Sequence, residues 1–460
     1  MPPRDEDTIA AIATPLGSGG IGIVRLSGRA AVAIADRFFR ASGGIPLSGA
    51  PSHKLIHGWV EQDGAPLDEV LAVAMRAPHS YTCEDVVEVH CHGGSLAVRT
   101  VLELACAGGA RLAQPGEFTQ RAFLNGRMDL TQAEAVGDIV RSRSLLGLRV
   151  SADQLRGRLH GDILALREEV AQVAALVAAG IDFPEEDVVF AHRQDIVARL
   201  AGVRERLRAL LGTATGGRML REGVAVAIVG KPNVGKSSLL NALLRENRAI
   251  VTEVPGTTRD TLEEALELGG VGVRLIDTAG LRQTDDVVER EGISRAERAM
   301  ALADLTLAVM DGSQPLDEDD RRVLEQSAGR PSLLVVNKRD RMPGPEPAWA
   351  PQAGDRPRVA VSARTGEGLE ALEAWVRRWA LNDERPVLEH AWITNLRQQQ
   401  AAGHALGAVD AALAGLDSGA GEELLAVDLS RALDALGDIV GETTADDLLN
   451  RVFAEFCIGK

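Results

Sequence analysis

The chain has 460 residues, 45% hydrophobic and 25% charged, a balance suited to globular folding in about three domains of ~150 residues each. Aromatics make up only 3%, so Leu, Val and Ala must fill most of the interior. A formal charge of −16 excludes a protein that grips nucleic acid over its whole surface, but leaves room for a local basic patch or a basic partner.

Cys83, Cys91, Cys106 and Cys457 show no regular disulfide spacing, which suits a reducing compartment. The opening MPPRDEDT is polar rather than a charged-then-apolar leader. The most apolar helical stretch, VAQVAALVAAGI near 170–181, is shorter than a membrane span and follows Arg167, Glu168 and Glu169. A cytoplasmic protein with no membrane contact is expected.

Residues 1–120 mix short strands (TIAAIAT, IGIVRLSG, VVEVHCH) with helices (AAVAIADRFFR, LAVRTVLELACAGG), predicting an α+β domain. Long helical periodicity follows over 121–218; Ile196, Leu200, Val203, Leu207 and Leu210 share one face. Pro184 in DFPEEDVV (182–189) breaks two of these helices. Strand–loop–helix alternation over 219–381 predicts an α/β domain, with RMPGPEPAWAPQAGDRPR (341–358) as a surface loop. Helical texture returns over 382–460, ending in DDLLNRVFAEF with Leu448, Leu449, Val452, Phe453 and Phe456 on one side. Thr443 or Thr444 would cap that helix, with Asp446 and Asp447 in its first turn. The last piece is too short for a comfortable domain of its own. Packing it against 121–218 makes one discontinuous helical domain with the α/β domain inserted into it.

The inserted domain carries VAVAIVGKPNVGKSSLLNALL, a strand, a Gly-containing loop and a helix, the context a P-loop requires. Asn233, Val234, Gly235, Lys236, Ser237 and Ser238 would cradle phosphates, with Lys236 reaching the β/γ-phosphates and Ser237 offering its hydroxyl to Mg²⁺. The bland alternative, a chance Gly-Lys-Ser loop, weakens with each downstream element. Asp277, Thr278, Ala279 and Gly280 end a strand where Mg²⁺ and the γ-phosphate are sensed. Asn337, Lys338, Arg339 and Asp340 end another, and Asp340 can accept from the amide and amino donors of guanine, a pattern adenine does not offer. Ser362, Ala363 and Arg364 would back the base. Together these predict a Ras-like GTP-binding domain.

Leu281 follows Asp277-Thr-Ala-Gly, and an apolar side chain cannot orient the attacking water. Glu289, twelve residues past Asp277, is a candidate for that role; by spacing alone a solvated helix charge is the better reading. No arginine finger is evident in the chain. Asn233 and the hydroxyl-rich TEVPGTT (Thr252, Glu253, Val254, Pro255, Gly256, Thr257, Thr258) could hold K⁺ against the phosphates in its place, with Thr258 completing the Mg²⁺ shell. Ordinary loop polarity also accounts for Thr252 and Thr257.

Two motifs fail. Gly17-Ser-Gly19-Gly-Ile-Gly22 has dinucleotide spacing, but IGIVRLSG reads as strand where a helix is needed. Cys83, His90, Cys91 and His92 hint at zinc, yet residues 90 and 91 point to opposite strand faces. Glu88, His90 and His92 share one face; Val87, Val89 and Cys91 share the other.

Over almost its whole length the chain resembles the MnmE (TrmE) family of tRNA-modifying GTPases. The matching stretches are ATPLGSGGIGIVRLSG, PGEFTQRAFLNGRMDLTQAEA, DFPEED, GKPNVGKSSLLN, EVPGTTRD, DTAGLR, NKRD and the final FCIGK. The GTPase motifs are shared with other families, whereas the N-terminal blocks and FCIGK are specific to this one. The resemblance implies that the chain works on wobble uridine (position 34) of certain tRNAs. It would do so as a homodimer, in a heterotetramer with the flavoprotein MnmG (GidA). An aminomethyl or carboxymethylaminomethyl group is installed at C5, the carbon coming from a 5-formyl- or methylene-tetrahydrofolate. It also implies dimerisation and folate binding by the N-terminal domain, with the folate at Arg25, Glu88, Arg127 and Lys460; position 127 is often Lys in the family. Glu289 gains a catalytic role in K⁺-stimulated hydrolysis, and Asn233, Thr252, Val254 and Thr257 become the K⁺ shell.

Two other readings compete: a regulatory GTPase of ribosome assembly without one-carbon chemistry, and a folate enzyme using GTP structurally. A GXXG RNA-binding module with a basic surface would favour the first, and none is found. FCIGK itself admits a frayed tail, a lipid anchor or a catalytic arm. Lys460 does not suit prenylation, and the inserted layout returns this segment towards the N-terminal domain. Cys457 is thus a candidate catalytic thiol, with nucleophile, proton carrier and positioning group all open.

Overall fold

Period-two alternation builds the first sheet. In the computed structural model, which describes residues 7–182, 193–246, 265–276, 289–382, 387–419, 421–442, 446–454 and 456–460, seven strands form it among those residues. They are β1 (Ile9–Ile12), β2 (Ile21–Ser27), β3 (Phe39–Ala41), β4 (Ile56–Gln62), β5 (Ala65–Met75), β6 (Val86–His92) and β7 (Arg111–Leu112). Their order is β3-β4-β5-β6-β2-β1-β7, antiparallel except for the β1–β7 pair. Val24, Leu26, Val87, Val89 and Cys91 bury one face under the helices Ala31–Phe38 and Ser95–Ala107. Each such aliphatic side chain contributes about 1.5–3 kcal/mol. Alternation then fixes Arg25 and Glu88 on the opposite face. The β4–β5 hairpin goes beyond the sequence expectation; its signal was Asp63-Gly64, which turns with φ of 52° and 80°.

The helices Arg158–Asp182, Arg193–Gly212, Leu396–Ser418 and Glu422–Val440 share one apolar core. The face forecast for 196–210 is buried in it, whereas Pro184 and the break expected there lie outside the described residues. Polar ties join the two sequence-distant parts. Arg397 forks onto buried Glu134 at 2.7 and 2.8 Å, and Gln398 donates to the same carboxylate at 2.8 Å. The Ile393 amide donates to the Thr213 hydroxyl at 3.0 Å across 180 residues. Glu134 lies on the helix Leu130–Arg141, which opens with a capping box between Asp129 and Gln132.

The second sheet has six strands among the described residues: β8 (Val224–Val229), β9 (Ala265–Leu268), β10 (Val271–Leu275), β11 (Leu305–Asp311), β12 (Ser332–Asn337) and β13 (Arg358–Ala360). The order is β13-β12-β11-β8-β10-β9, with only the β9–β10 pair antiparallel. β8 is buried along its whole length, as a central parallel strand must be. Successive connections from it and its neighbours run to opposite sides of the sheet, opening a crevice at its carboxyl end. The 341–358 segment differs from the surface loop expected. Trp349 is buried and donates from Nε1 to the Asp311 carbonyl at 3.3 Å, so an indole anchors the segment to the end of β11.

Candidate nucleotide site and N-terminal cleft

The crevice holds the P-loop. β8 runs into Gly230, and the helix Lys236–Glu246 starts on the far side of the loop. Lys236, Ser237 and Ser238 open that helix, so their amides are the donors a helix start leaves for an anion. Lys236 Nζ bonds the carbonyls of Gly230 and Lys231 at 2.9 and 2.8 Å. Burial pushes its ammonium below the ordinary lysine value, favouring an anionic neighbour. Asn233 adopts φ 65°, and Gly235 has φ 98° where a Cβ would strike the Asn337 amide.

The guanine motif is wired into the same loop. Asn337 donates to the Val234 carbonyl at 2.8 Å and accepts from the Ala363 amide at 3.1 Å. Lys338 donates to the Asn233 carbonyl at 2.8 Å and pairs with Asp311 at 2.7 Å. Ser362 donates to Asp340 at 2.7 Å and, with Arg364 3.6 Å away, holds that carboxyl below its usual range. The carboxylate retains lone pairs for two base donors. Arg339 turns away to the Gly344 carbonyl at 2.5 Å. The hydroxyl of Ser237 belongs to the hard-oxygen class that suits Mg²⁺.

Thr252, Glu253, Val254, Pro255, Gly256, Thr257, Thr258, Asp277, Thr278, Ala279, Gly280 and Leu281 lie outside the described residues, as do Thr443 and Thr444. Glu289 begins the helix Glu289–Leu302, its side chain outside those described. Sequence reasoning missed Asp317 and Asp320, which bind P-loop Lys231 at 2.7 and 2.6 Å. Their signal was an acidic helix start, LDEDD, a short turn beyond a strand.

On the first sheet, Arg25 and Glu88 are cross-strand partners. Both Nε and Nη2 of Arg25 lie 2.8 Å from Glu88 Oε1, while His90 Nε2 is 3.3 Å from Oε2. Arg127 stacks over Tyr81 at 4.7 Å and donates to its carbonyl at 3.0 Å. Arg25, Glu88, Arg127 and Tyr81 line one cleft of about 530 Å³, room enough for a small-molecule ligand.

The final segment meets one residue of the cleft lining, Arg25. Leu449, Phe453 and Phe456 bury against Ala122, Leu130 and Val136. Gly116 takes φ 69°, and a Cβ there would strike Phe453. Its amide lies 3.4 Å from the Cys457 carbonyl, and that of Phe118 lies 3.2 Å from the Lys460 carbonyl. Arg25 Nη1 donates to Gly459 at 3.3 Å. Cys457 is exposed. The segment is thus docked at the wall of the cleft, with Lys460 joined through its main chain.

Buried Arg121 pairs with Asp7 at 2.6 Å and with both Glu84 and Glu117 at 3.2 Å. Glu117 also meets Arg111 at 2.6 Å. Burial works to raise the Glu117 carboxyl, but its Arg111 and Gln114 hydrogen bonds outweigh that and hold it below its ordinary value. Residues 21–27 are strand, and Cys91, pushed up to about 11 by burial, donates to Gly22 on the face away from the cleft.

A Ras-ordered sheet with a P-loop, an Asn337-Lys338-x-Asp340 base loop and a Ser362-Ala363 backing loop defines a GTPase. Family models agree in detail: that of the MnmE helical domain matches residues 130–457, and that of the GTP-binding protein TrmE N-terminus matches residues 8–127. The tRNA modification GTPase MnmE of Symbiobacterium thermophilum is 50% identical over 458 residues, covering 99% of this chain and 100% of that one. The proteins of the same name from Moorella thermoacetica and Geobacillus kaustophilus are 48% and 46% identical, covering 99% of this chain and 100% and 99% of theirs. The chain belongs to the MnmE family of tRNA modification GTPases.

Proposed function

We propose that this chain is the GTP-hydrolysing subunit of a complex that modifies C5 of wobble uridine, position 34, in tRNA, with a tetrahydrofolate as carbon donor and a flavoprotein partner. The observation that carries the reading is the Arg25–Glu88 pair with its link to Gly459. Arg25 thereby links a carboxylate suited to the amino and amide donors of a pterin to the segment bearing Cys457. The docked segment supports a catalytic arm over a frayed tail. Glu88 would bind the pterin edge, Arg127 and Lys460 would attract the ligand's carboxylates, and Cys457 would act near the transferred carbon.

In the GTPase half, Lys236 and the opening amides of its helix bind and orient phosphates, and Asp340 selects guanine. Ser237 and Thr258 would hold Mg²⁺, which when bound neutralises charge developing on the phosphates. Asn233, Thr252, Val254 and Thr257 would hold K⁺ at the place an arginine finger takes elsewhere. Glu289 would orient the attacking water, since Leu281 cannot. Among the described residues no helix is long and apolar enough to cross a membrane, in keeping with work on a cytoplasmic tRNA. The homodimer and the flavoprotein heterotetramer complete the reading.

Nucleoside analysis of tRNA from cells lacking this chain, with the intact or Cys457→Ser gene restored, tests it. Loss of the C5 group, restored by the intact gene and not by the serine variant, is expected. Wobble uridine that keeps its C5 group in the deletion strain would return the chain to the regulatory-GTPase reading.

A further inference from the structure

Each described P-loop carbonyl from 230 to 234 that bonds a side chain does so inside the nucleotide crevice: Lys236 takes Gly230 and Lys231, Lys338 takes Asn233, and Asn337 takes Val234. The Lys231 side chain instead meets two carboxylates of another segment. Its ammonium is mostly buried and lies 2.7 Å from Asp317 and 2.6 Å from Asp320. These two carboxylates are not loose surface charges. Asp317 caps the helix Glu318–Gln326 and Asp320 closes its capping box, the Asp320 amide donating to Asp317 at 3.1 Å and the Asp317 amide to Asp320 at 3.2 Å. Asp320 is 3% exposed. A charge so enclosed is strongly directional, because water cannot substitute for its partner cheaply.

Lys231 therefore has two ends with different duties. Its carbonyl shares the Lys236 ammonium, the group that meets the phosphates. Its side chain fastens that same residue to the start of the helix Glu318–Gln326, outside the P-loop itself. We propose that Lys231, held by Asp317 and Asp320, is a positioning residue for GTP binding and hydrolysis. It fixes the Lys231 carbonyl, and through it the place of Lys236 Nζ, so that the ammonium is preset before phosphate arrives. Loss of the clamp lets the carbonyl wander, and Lys236 then spends part of its time off the phosphates. The bound nucleotide should leave faster, and catalysis should slow because the ammonium is misplaced in the transition state as well.

The test is a double-mutant cycle on the full chain, read as release of fluorescently labelled GDP and as kcat and KM for GTP. Lys231→Met and Asp320→Asn are each expected to speed GDP release by about tenfold. The double variant should be no faster than either single one, since both remove one clamp. Lys231→Arg, which retains a cation, should stay within about threefold of the parent. Asp317→Asn, which loses only the exposed partner, should give a smaller acceleration and keeps the test alive if Asp320→Asn does not fold. A lower melting temperature with unchanged GDP release and kcat in Lys231→Met would overturn the proposal and leave the cluster a structural brace. Multiplying effects in the double variant would overturn it too.

Discussion

Arg25 and Glu88 face each other across the β2–β6 pair and share a single carboxylate oxygen, with two guanidinium nitrogens 2.8 Å from Oε1. Oε2 is left to His90 and to the cleft. Glu88→Gln keeps the shape but removes the charge that sets Arg25 and that the proposed folate site calls on. Calorimetric titration with 5-formyltetrahydrofolate should show affinity lower by at least about tenfold. Equal binding by parent and variant would remove Glu88 from the ligand site.

Exchange of K⁺ for Na⁺ should slow GTP hydrolysis, because the two ions differ in size and a fitted oxygen cage does not suit both. Asn233→Ala should lower the rate in K⁺ to near the Na⁺ rate. Hydrolysis that is indifferent to the cation would dispose of the cage.

Glu289→Ala should retain GTP affinity and lose turnover by about a hundredfold, the usual worth of a lost general base or water-orienting group. Single-turnover hydrolysis beside equilibrium binding separates the two effects. A defect confined to binding would contradict a role in orienting water.

The ion cluster around Arg121 sets an acid limit. Asp7 and Glu117 both titrate below their ordinary values of 3.8 and 4.5, despite burial that pushes each upward, because their arginine hydrogen bonds prevail. Near pH 4 the unfolded chain therefore binds more protons than the folded one. Stability from these pairs is present above the ordinary values and is lost as pH falls through the lowered ones. Thermal melts between pH 7 and 3 should show that decline. Glu117→Gln should be about 1–3 kcal/mol less stable at pH 7, with a shallower acid decline; an unchanged slope would mean the cluster does not govern it.

Much of this was legible before any coordinates. Strands over 9–12, 21–27 and 86–92 follow from two-residue alternation, and the P-loop from Gly, Lys and Ser at fixed spacing between a strand and a helix. The 196–210 stripe was legible because a helix buries one face in alternating steps of four and three residues. What escaped were relations between distant segments. Nothing local in Lys231 says that Asp320 lies 89 residues away and 2.6 Å distant. The Gly459 carbonyl met by Arg25 carries no side-chain signature at all. Trp349 sat in a Pro- and Gly-rich run whose composition argued for solvent, while its indole found a buried partner.

The Thr213–Ile393 hydrogen bond has a consequence for biosynthesis. At about 5–20 residues per second, the 180 residues between these partners take roughly ten to forty seconds to emerge from a ribosome. Throughout that interval the first helices expose the apolar stripe that Ala402, Ala405 and Leu429 later cover. The GTP-binding sheet, by contrast, can close on itself as soon as β13 appears. The insert is thus ready before its host, and the nascent helices await either a chaperone or the rest of their own chain.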